Sequence, residues 1–432
     1  MNCSNPARTA SVSCLFLVSL VTSGCGCGGA ATQNEMTTAR SSAVRVVDPQ
    51  VSADDAKTLS TDNAAFAFAA YGNLKNASGN LVFSPISVSL ALAMAYAGAA
   101  GDTASEMATA LQFSLPPERL HPAFNALDLA LATRGEGFLG TDGGPMRLQM
   151  INSVWGERTY SFKSEYLDTL ALNYGAGVNL VDFVGSPEAS RQVINAWVAQ
   201  QTESKIADLL PPGAISAGTV LTLTNAVYFN AAWKYPFPPE NTHDGPFARL
   251  DGSQVTVKMM LNAGAISALA TPDLKAAALP YQDTRLSLLV VVPEPGKFDQ
   301  VEASLDGKWL DGLVASMTVQ STLVKMPRFT VDTNAPVEDA LVALGMQAAF
   351  QPGLADFSGI DGTRSLFIQN VEHRAYIVVG EKGTEAAAST AVSVGRGVPD
   401  ITIVADRPFF YLLRDEPTGA ILFMGRVVDP SQ

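Results

Sequence analysis

The sequence predicts an α+β fold in which helices pack around large, mostly antiparallel β-sheets. Two observations support this class: helical patterns concentrate in the first half of the chain, and β-branched apolar runs concentrate in the second. The chain has 432 residues, 47% of them hydrophobic and 16% charged, which is enough to bury a large core. Because no internal repeat and no Pro/Gly/Ser-rich linker follows residue 50, we expect one domain over residues 51–432.

The helical half contains three clear segments. Residues 54–75 carry apolar side chains at helical spacing. The run Val88–Ala100 is small or apolar on every side, which predicts a helix buried in the middle of the domain. We expect Ser84 to cap its first N–H groups and Pro85 to occupy its first turn. A further amphipathic helix begins after Ser186.

The second half of the chain is rich in predicted strands. These are runs of Val, Ile, Leu, Thr and aromatic residues that are bounded by turn residues. The candidates are 219–229, 286–292, 322–330, 366–379, 401–405, 409–413 and 420–427, with a helix at about 336–344 among them.

The first 24 residues predict a secretory signal peptide, with Arg8 ahead of a short apolar run, Cys14–Val21. Small residues precede Cys25 in a pattern that resembles a bacterial lipoprotein signal, although Thr22 stands where Leu or Val is usual. Acylation of Cys25 would then anchor the protein to a membrane; the alternative is an ordinary cleaved signal. Residues 25–50 predict a flexible tether. We expect an exported protein, extracellular or in the cell envelope.

Charge and cysteine usage narrow the possible partners. The formal net charge of -13 and the lack of a basic cluster argue against nucleic acid and against anionic lipid, so the anchor would be the only membrane contact. All four cysteines precede residue 28, so the folded body has no thiol chemistry.

An enzyme is not expected. The chain has three histidines, His121, His243 and His373, of which we expect the first two in turns. It has no Gly-x-Ser-x-Gly elbow, no His-Glu-x-x-His helix and no phosphate-binding glycine loop. We therefore expect no metal, no cofactor and no catalytic residue.

The segment from Glu381 to Pro399 fits none of the predicted elements, and long loops of this kind are usually functional or disordered. Side chains alternate faces on a strand. From Thr384 to Val394 the even positions are uncharged, small at first and β-branched later, whereas the odd positions of this stretch hold a charge, at Glu385, and most of the polar groups. No proline interrupts residues 381–398, so the segment could join a sheet as an added strand.

The same segment carries a family resemblance. Glu381–Ala388 (EKGTEAAA) is very similar to the hinge signature of the serpins, and the resemblance extends over residues 52–430. Further motifs match in order: Asn80–Leu111, Asn225–Asn230 with Trp233, Met326–Phe329, Gly345–Ile360, Asp406–Phe409 and Gly425–Val427. Gly380 departs from the acidic or amide residue that is usual before the hinge.

The resemblance implies an inhibitor of serine endopeptidases that acts as a suicide substrate. A protease would cleave the loop and form a covalent acyl complex, and the Thr384–Val394 segment would insert into the central sheet before deacylation. The implied hinge residues are Glu381, Gly383, Thr384, Glu385, Ala386, Ala387, Ala388 and Thr390, with Gly383 as a pivot. The implied shutter, where the sheet parts, comprises Ser84, Ser87, Asn225 and His373. Trp233 would mark the breach, where the loop enters.

The sequence offers more than one candidate for the bond that the protease would cleave. The usual family spacing from Glu381 places it between Gly397 and Val398. A loop one residue shorter makes Arg396 the specificity residue, which suits trypsin-like proteases and which we favour. Val394 would suit elastase- or subtilisin-like enzymes.

Two alternative functions also stay open. The first is a non-inhibitory serpin with a carrier, chaperone or storage role, and the second is inhibition of papain-like cysteine proteases, which form comparable acyl intermediates. The small, uncharged hinge favours inhibition. We expect a monomer whose partner is a target serine protease.

Overall fold

A computed structural model of the chain describes residues 36–76, 78–384 and 398–432. The helices are α1 Ala53–Leu74, α2 Pro85–Tyr96, α3 Gly101–Ala110, α4 Pro117–Ala132, α5 Ser164–Tyr174, α6 Pro187–Gln201, α7 Phe298–Ser304, α8 Gly307–Ser316, α9 Val337–Ala343 and α10 Ser358–Asp361, with short 3₁₀ turns at Pro239–Asn241 and Ala348–Phe350.

Strands are concentrated in the second half of the chain, as the sequence predicts. They are β1 Thr37–Ala39, β2 Leu81–Phe83, β3 Arg147–Glu157, β4 Val178–Val181, β5 Leu221–Ala232, β6 His243–Ala248, β7 Gln254–Ala270, β8 Leu274–Pro280, β9 Leu286–Pro293, β10 Thr318–Pro327, β11 Phe329–Asn334, β12 Ile368–Gly380, β13 Gly383–Thr384, β14 Ile401–Val404, β15 Phe409–Asp415 and β16 Ile421–Val427.

These strands form two large sheets. In the part of the chain that the structure describes, the first sheet has the order β1-β4-β3-β5-β13-β12-β11, and the second the order β14-β10-β7-β8-β9-β15-β16-β2, with β6 beside β7. Most neighbouring strands are antiparallel, the parallel pairs being β3–β4, β5–β12 and β10–β14. The predicted α+β class with mostly antiparallel sheets is confirmed.

Helix α2 lies in the middle of the core, as its uniformly apolar sequence predicts. All of its residues from Pro85 to Ala95 are buried, and most of its apolar side chains belong to one hydrophobic cluster that also includes residues of α1, β5 and β16. The expected capping hydrogen bond from the Ser84 side chain, however, is absent. Ser84 occupies the N-cap position, but its Oγ makes no cap bond and has no hydrogen-bond partner among the described residues. Its backbone N–H instead binds another element, described below.

The predicted strand at 322–330 is two strands in two different sheets. β10 ends at Pro327 in the second sheet, and β11 begins at Phe329 in the first. Only Arg328 separates them, and an apolar run that crosses between sheets has the same pattern as one long strand. His121 was also expected in a turn, but it is buried inside α4.

The central seam is the junction between β5 and β12. The two strands are parallel and pair directly from Leu221–Val227 of β5 to Ile368–Ala375 of β12. Beyond that point β13 lies between them, antiparallel to both. One end of the seam therefore already contains an added strand of two residues.

Residues 36–50 are packed against the domain, so the expectation of a flexible tether that reaches residue 50 is wrong for this part. β1 pairs with β4 at the edge of the first sheet. Arg45 donates to Asn125 at 2.8 Å and to Asp128 at 2.6 Å on α4, and Val46 N–H donates to Leu172 O at 2.9 Å on α5. The polar composition of the segment concealed these specific contacts.

Within the described residues, none of the helices combines the length and the apolar character that crossing a membrane requires.

Candidate functional site

The end of the central seam that holds β13 is organised around Trp233. This side chain is 1% exposed and directly follows β5. Its indole Nε1 donates to Gly380 O at 2.9 Å, and its backbone N–H donates to Lys382 O at 2.7 Å. Trp233, the expected breach residue, therefore holds both arms of the turn that joins β12 to β13.

Glu381 fixes the same turn from the other side. Its carboxylate is buried, accepts a hydrogen bond from Thr242 Oγ1 at 2.8 Å and forms an ion pair with Arg328, whose Nε lies 2.5 Å away. Its carbonyl oxygen accepts from Phe237 N–H at 2.7 Å. The first hinge residue is therefore anchored in the fold and does not belong to a free loop.

Gly383 was expected to act as a pivot, where the chain needs a backbone conformation that only glycine adopts easily. The structure shows an ordinary backbone conformation at this position, so a pivot does not explain the glycine. Its backbone lies outside the left-handed region. An added Cβ would collide with the carbonyl oxygen of Ala231 and would lie 2.8 Å from Ala232 Cα. The position needs glycine because the backbone of β5 passes too close for any side chain.

Thr384 is the last described hinge residue, and it lies inside the sheet. It pairs with Ala231 of β5 and with Val379 of β12, and it is 1% exposed. Its Oγ1 lies 2.6 Å from the hydroxyl of Tyr281, which is itself fully buried. Sequence reasoning missed Tyr281, because nothing in its local sequence marks it as a partner of the hinge.

The four predicted shutter residues meet at the middle of the seam. His373 of β12 lies directly opposite Asn225 of β5, and its Nδ1 is hydrogen-bonded to Asn225 Oδ1. The Nε2 of His373 accepts from Ser84 N–H at 3.0 Å. Asn225 Nδ2 donates to Ser87 Oγ at 2.5 Å on α2. The bond between His373 and Asn225 is thus a side-chain tie across the seam.

This network assigns the protonation state of His373. Since Nε2 accepts a hydrogen bond from a backbone N–H, the ring proton must be on Nδ1, where it is donated to Asn225. Complete burial lowers the pKa of His373 to about 3, because a charged ring would lose its hydration. The shutter is therefore a neutral network at physiological pH.

Asn152 is a further member that sequence reasoning missed. It lies on β3 directly opposite Asn225, and its Oδ1 accepts from Asn225 Nδ2 and from Ser87 Oγ, the latter at 3.1 Å. The two bonds that Asn225 Nδ2 donates, to Asn152 and to Ser87, hold the amide of Asn225 so that its oxygen faces the seam. The apolar residues of 147–157 could have predicted a strand that contains Asn152, but its place beside Asn225 depends on the register between β3 and β5.

The remaining predicted residues fall mostly outside the described ranges. These are Glu385, Ala386, Ala387, Ala388 and Thr390 of the hinge, Arg396 and Gly397 at the candidate bonds, Val394, and Cys25. Val398 is described and is 93% exposed. After it, Asp400 N–H donates to Ser321 O at 2.8 Å, and the chain enters β14 of the second sheet. The described chain therefore ends in the first sheet at Thr384 and continues from Val398 into the second sheet.

The three histidines do not come together. His373 lies in β12, His121 in α4 and His243 at the start of β6. Across residues 36–76, 78–384 and 398–432, no group of histidine, cysteine and acidic side chains has the arrangement that a metal ion needs.

Comparison with known proteins identifies the architecture. Residues 61–430 match the family described as Serpin (serine protease inhibitor). An uncharacterised serpin-like protein of Thermococcus kodakarensis is 36% identical over 371 residues, which cover 85% of this chain and 84% of the relative. Leukocyte elastase inhibitor A of Mus musculus is 35% identical over 392 residues, which cover 86% and 99%.

Solved structures agree with this assignment. The native state of the thermophilic serpin tengpin superposes with a TM-score of 0.80 at 24% identity, covering 91% of this chain and 100% of that one. Human thyroxine-binding globulin, solved with its hormone, gives a TM-score of 0.77 at 28% identity, covering 88% and 100%. The family match over residues 61–430 and the relatives at 35–36% identity show that the chain belongs to the serpin family.

Proposed function

We propose that the chain inhibits serine endopeptidases by suicide-substrate trapping. The protease cleaves the loop near Arg396 and Gly397, and the segment Thr384–Val394 inserts into the first sheet between β5 and β12. The observation that carries this proposal is β13, because its two residues already pair with both neighbours of the strand that would be added.

The register of β13 predicts where every later residue would go. If the antiparallel pairing continues, Ala386 would lie between Phe229 and Ile377, and Val394 would reach the level of Leu221. Leu221 is the first residue of β5. The insertable segment and the seam therefore have matching lengths, which supports insertion along the whole strand.

The side-chain pattern agrees with this register. Thr384 is buried, so the even positions of a continuing strand would share its face, which is the face towards the core. These positions are uncharged, whereas Glu385 falls on the opposite face. The same register would place Thr390 between Asn225 and His373. Its hydroxyl could then replace the bond that these two residues make across the closed seam.

The mechanism depends on a competition between two rates. The protease attacks the loop with its own catalytic triad and forms an acyl-enzyme, which water would normally hydrolyse. Insertion adds hydrogen bonds and buries apolar side chains, and it displaces the attached protease before deacylation. A hinge that is already paired at Gly383–Thr384 shortens the path to insertion, because the first pairing step is complete before cleavage.

The direct test is incubation with a panel of serine proteases, followed by denaturing electrophoresis. We expect an SDS-resistant complex with at least one trypsin-like protease. Thr384→Arg should convert the inhibitor into a substrate, because a guanidinium cannot occupy the buried position that Thr384 already holds between β5 and β12. Clean cleavage of the wild-type loop by every protease, without a complex, would contradict the proposal.

The same incubation with proteases also identifies which bond is cleaved. Mass spectrometry of the released C-terminal fragment distinguishes cleavage after Arg396, which we favour, from cleavage after Gly397 or Val394. Relatives named leukocyte elastase inhibitor make an elastase-type target the first alternative to test. Papain-like proteases belong in the same panel, since they also form acyl intermediates.

A carrier function is the second candidate. The observation that favours it is a cavity of about 550 Å³ between α1 and α8, bordered by Ala64, Ala69 and Gly307. Arg414 also lines the cavity, and its buried Nε has no hydrogen-bond partner among the described residues. Binding of an anionic aromatic probe such as anilinonaphthalene sulfonate, weakened by Arg414→Met, together with no complex in the protease panel, would favour a carrier.

We also propose export and acylation at Cys25. The support is the signal-like pattern of residues 1–25, and the acidic body makes any other attachment to an anionic membrane unfavourable. Labelling with a radioactive fatty acid in the producing cell tests this, with Cys25→Ser as the control. Label that persists in the variant, or never appears in the wild type, would contradict acylation.

A further inference from the structure

Tyr281 contacts the hinge although it is about a hundred residues away in sequence. It follows β8 and forms an isolated backbone bridge with Trp233. Its ring stacks on the indole of Trp233, with centroids 4.4 Å apart and planes 20° apart, and meets the ring of Phe229 edge-on at 5.0 Å. These contacts fix the ring, so the hydroxyl group has a fixed position beside β13.

That hydroxyl meets the only hydroxyl side chain in the first residues of the hinge. Tyr281 Oη lies 2.6 Å from Thr384 Oγ1, and both residues are almost completely buried. The neighbours of Thr384 are Gly383, which has no side chain, and Glu385, which is acidic. The contact therefore distinguishes Thr384 from the residues on either side.

We propose that Tyr281 is a positioning residue that sets the register in which the hinge enters the sheet. This inference rests on the proposed inhibitory function and names a residue that controls it. A slip of one residue would turn Glu385 towards the core, where its carboxylate would be buried. A slip of two would place Ala386 beside Tyr281 and leave a buried hydroxyl without a partner. The Tyr281–Thr384 bond thus disfavours both errors.

The test compares Tyr281→Phe with Tyr411→Phe. Each substitution removes one buried hydroxyl, and the hydroxyl of Tyr411 donates to Leu81 O at 3.1 Å, outside the breach. The first measurement is hydrogen exchange of the Thr384 amide. A typical hydrogen bond contributes enough for a roughly 3- to 10-fold change in an opening equilibrium, so exchange should speed up by about that factor in Tyr281→Phe alone.

The second measurement is the stoichiometry of inhibition, the number of inhibitor molecules consumed per protease molecule trapped. We expect it to rise about 2-fold or more in Tyr281→Phe, with little change in the rate of association, because a hinge without a fixed register inserts more slowly. Thr384→Val removes the same bond without touching the aromatic cluster. The double variant should therefore resemble either single variant, with no multiplication of the two effects.

Each outcome decides one of the two proposals. If the wild-type protein traps no protease, the proposed function fails, and the exchange of Thr384 alone then tests the role of Tyr281. If exchange and stoichiometry in Tyr281→Phe equal those in Tyr411→Phe, or if the effects of Tyr281→Phe and Thr384→Val multiply, the positioning role is wrong.

Discussion

The breach and the shutter, two regions along the central seam, differ in whether β5 and β12 pair directly. At the breach, β5 and β12 are already separated by β13, and Trp233 holds the connecting turn. At the shutter, the same two strands pair directly, and His373 is tied to Asn225 across the junction. The seam is therefore open to a third strand at one end and closed in its middle.

This difference indicates an order of events for insertion. Extension of β13 beyond Thr384 has to break the backbone pairing of β5 with β12, residue by residue. In the register of β13, the shutter lies at the level of Thr390, halfway along the insertable segment. The breach should therefore control how insertion begins, and the shutter whether it is completed.

The largest expected effect comes from placing a charge on the core-facing side of the inserted strand, at the level of the shutter, and not on its solvent-facing side. Thr390→Arg would place a guanidinium against Asn225 and His373, and burying an unpaired charge costs several kcal/mol, on the order of 3–5 or more. We expect the SDS-resistant complex to disappear. Ser389→Arg adds the same charge on the solvent face, so its complex should persist; equal behaviour of the two variants would contradict the register.

The next effect concerns the closed state of the shutter. Asn225→Ala leaves His373 Nδ1 without its acceptor, and each orphaned buried group costs about 1–3 kcal/mol. Asn195→Ala is the matched control, because the Asn195 side chain is also buried and makes two hydrogen bonds, to the backbone of Leu210, away from the seam. On mild heating we expect Asn225→Ala to lose inhibitory activity before it unfolds, whereas Asn195→Ala should lose both together.

The third effect is a pH dependence that the shutter should show and the breach should not. Burial lowers the pKa of His373 to about 3, whereas an unfolded histidine has a pKa of about 6.5. The unfolded state therefore takes up a proton first as pH falls, so stability is complete above about pH 6.5 and declines towards pH 3. Between pH 7 and pH 5 the expected loss from His373 is about 2 kcal/mol.

Urea unfolding of the wild type and of His373→Gln at the two pH values measures this loss. Burial also lowers the pKa of His121, to about 4, so part of the pH dependence should remain in the variant. At the breach, burial raises the pKa of Tyr281 far above this range, so exchange at Thr384 should not change beyond the intrinsic pH effect. An equal pH dependence in the variant would refute the assignment to His373.

The smallest effect is expected at the outer edge of the breach. Glu381→Gln keeps an acceptor for Thr242 but removes the charge that pairs with Arg328. Since the Arg328 side chain is 50% exposed, the ion pair should contribute about 1 kcal/mol or less. A small decrease in melting temperature with unchanged inhibition is the expected result, and a loss of inhibition would show that the turn is more critical than Tyr281.

Part of the site could be predicted because the resemblance to the serpins names its positions within recognisable helix and strand patterns. Ser84 and Ser87 start a buried apolar helix, and Asn225 and His373 lie on strands that the sequence marks clearly. Asn152 and Tyr281 could not be found in this way, since each is defined by a partner far away in the chain. Their roles depend on strand register and on packing, which local sequence does not encode.

The same limit explains the errors in the fold. The run at 322–330 has one continuous pattern, yet the chain changes sheets at Arg328, and only tertiary packing decides this. Residues 36–50 have the composition of a tether, but Arg45 finds Asn125 and Asp128 on α4. Composition predicts whether a segment can form its own core, and it does not predict whether the segment docks on another.

The most direct test of the account is a crystal structure of the protein after cleavage of its loop by a protease that forms no complex. The account predicts a continuous strand from Gly383 to about Val394 between β5 and β12, with Thr390 level with Asn225 and His373. A cleaved loop that remains outside the sheet, or an inserted strand with Glu385 facing the core, would contradict it.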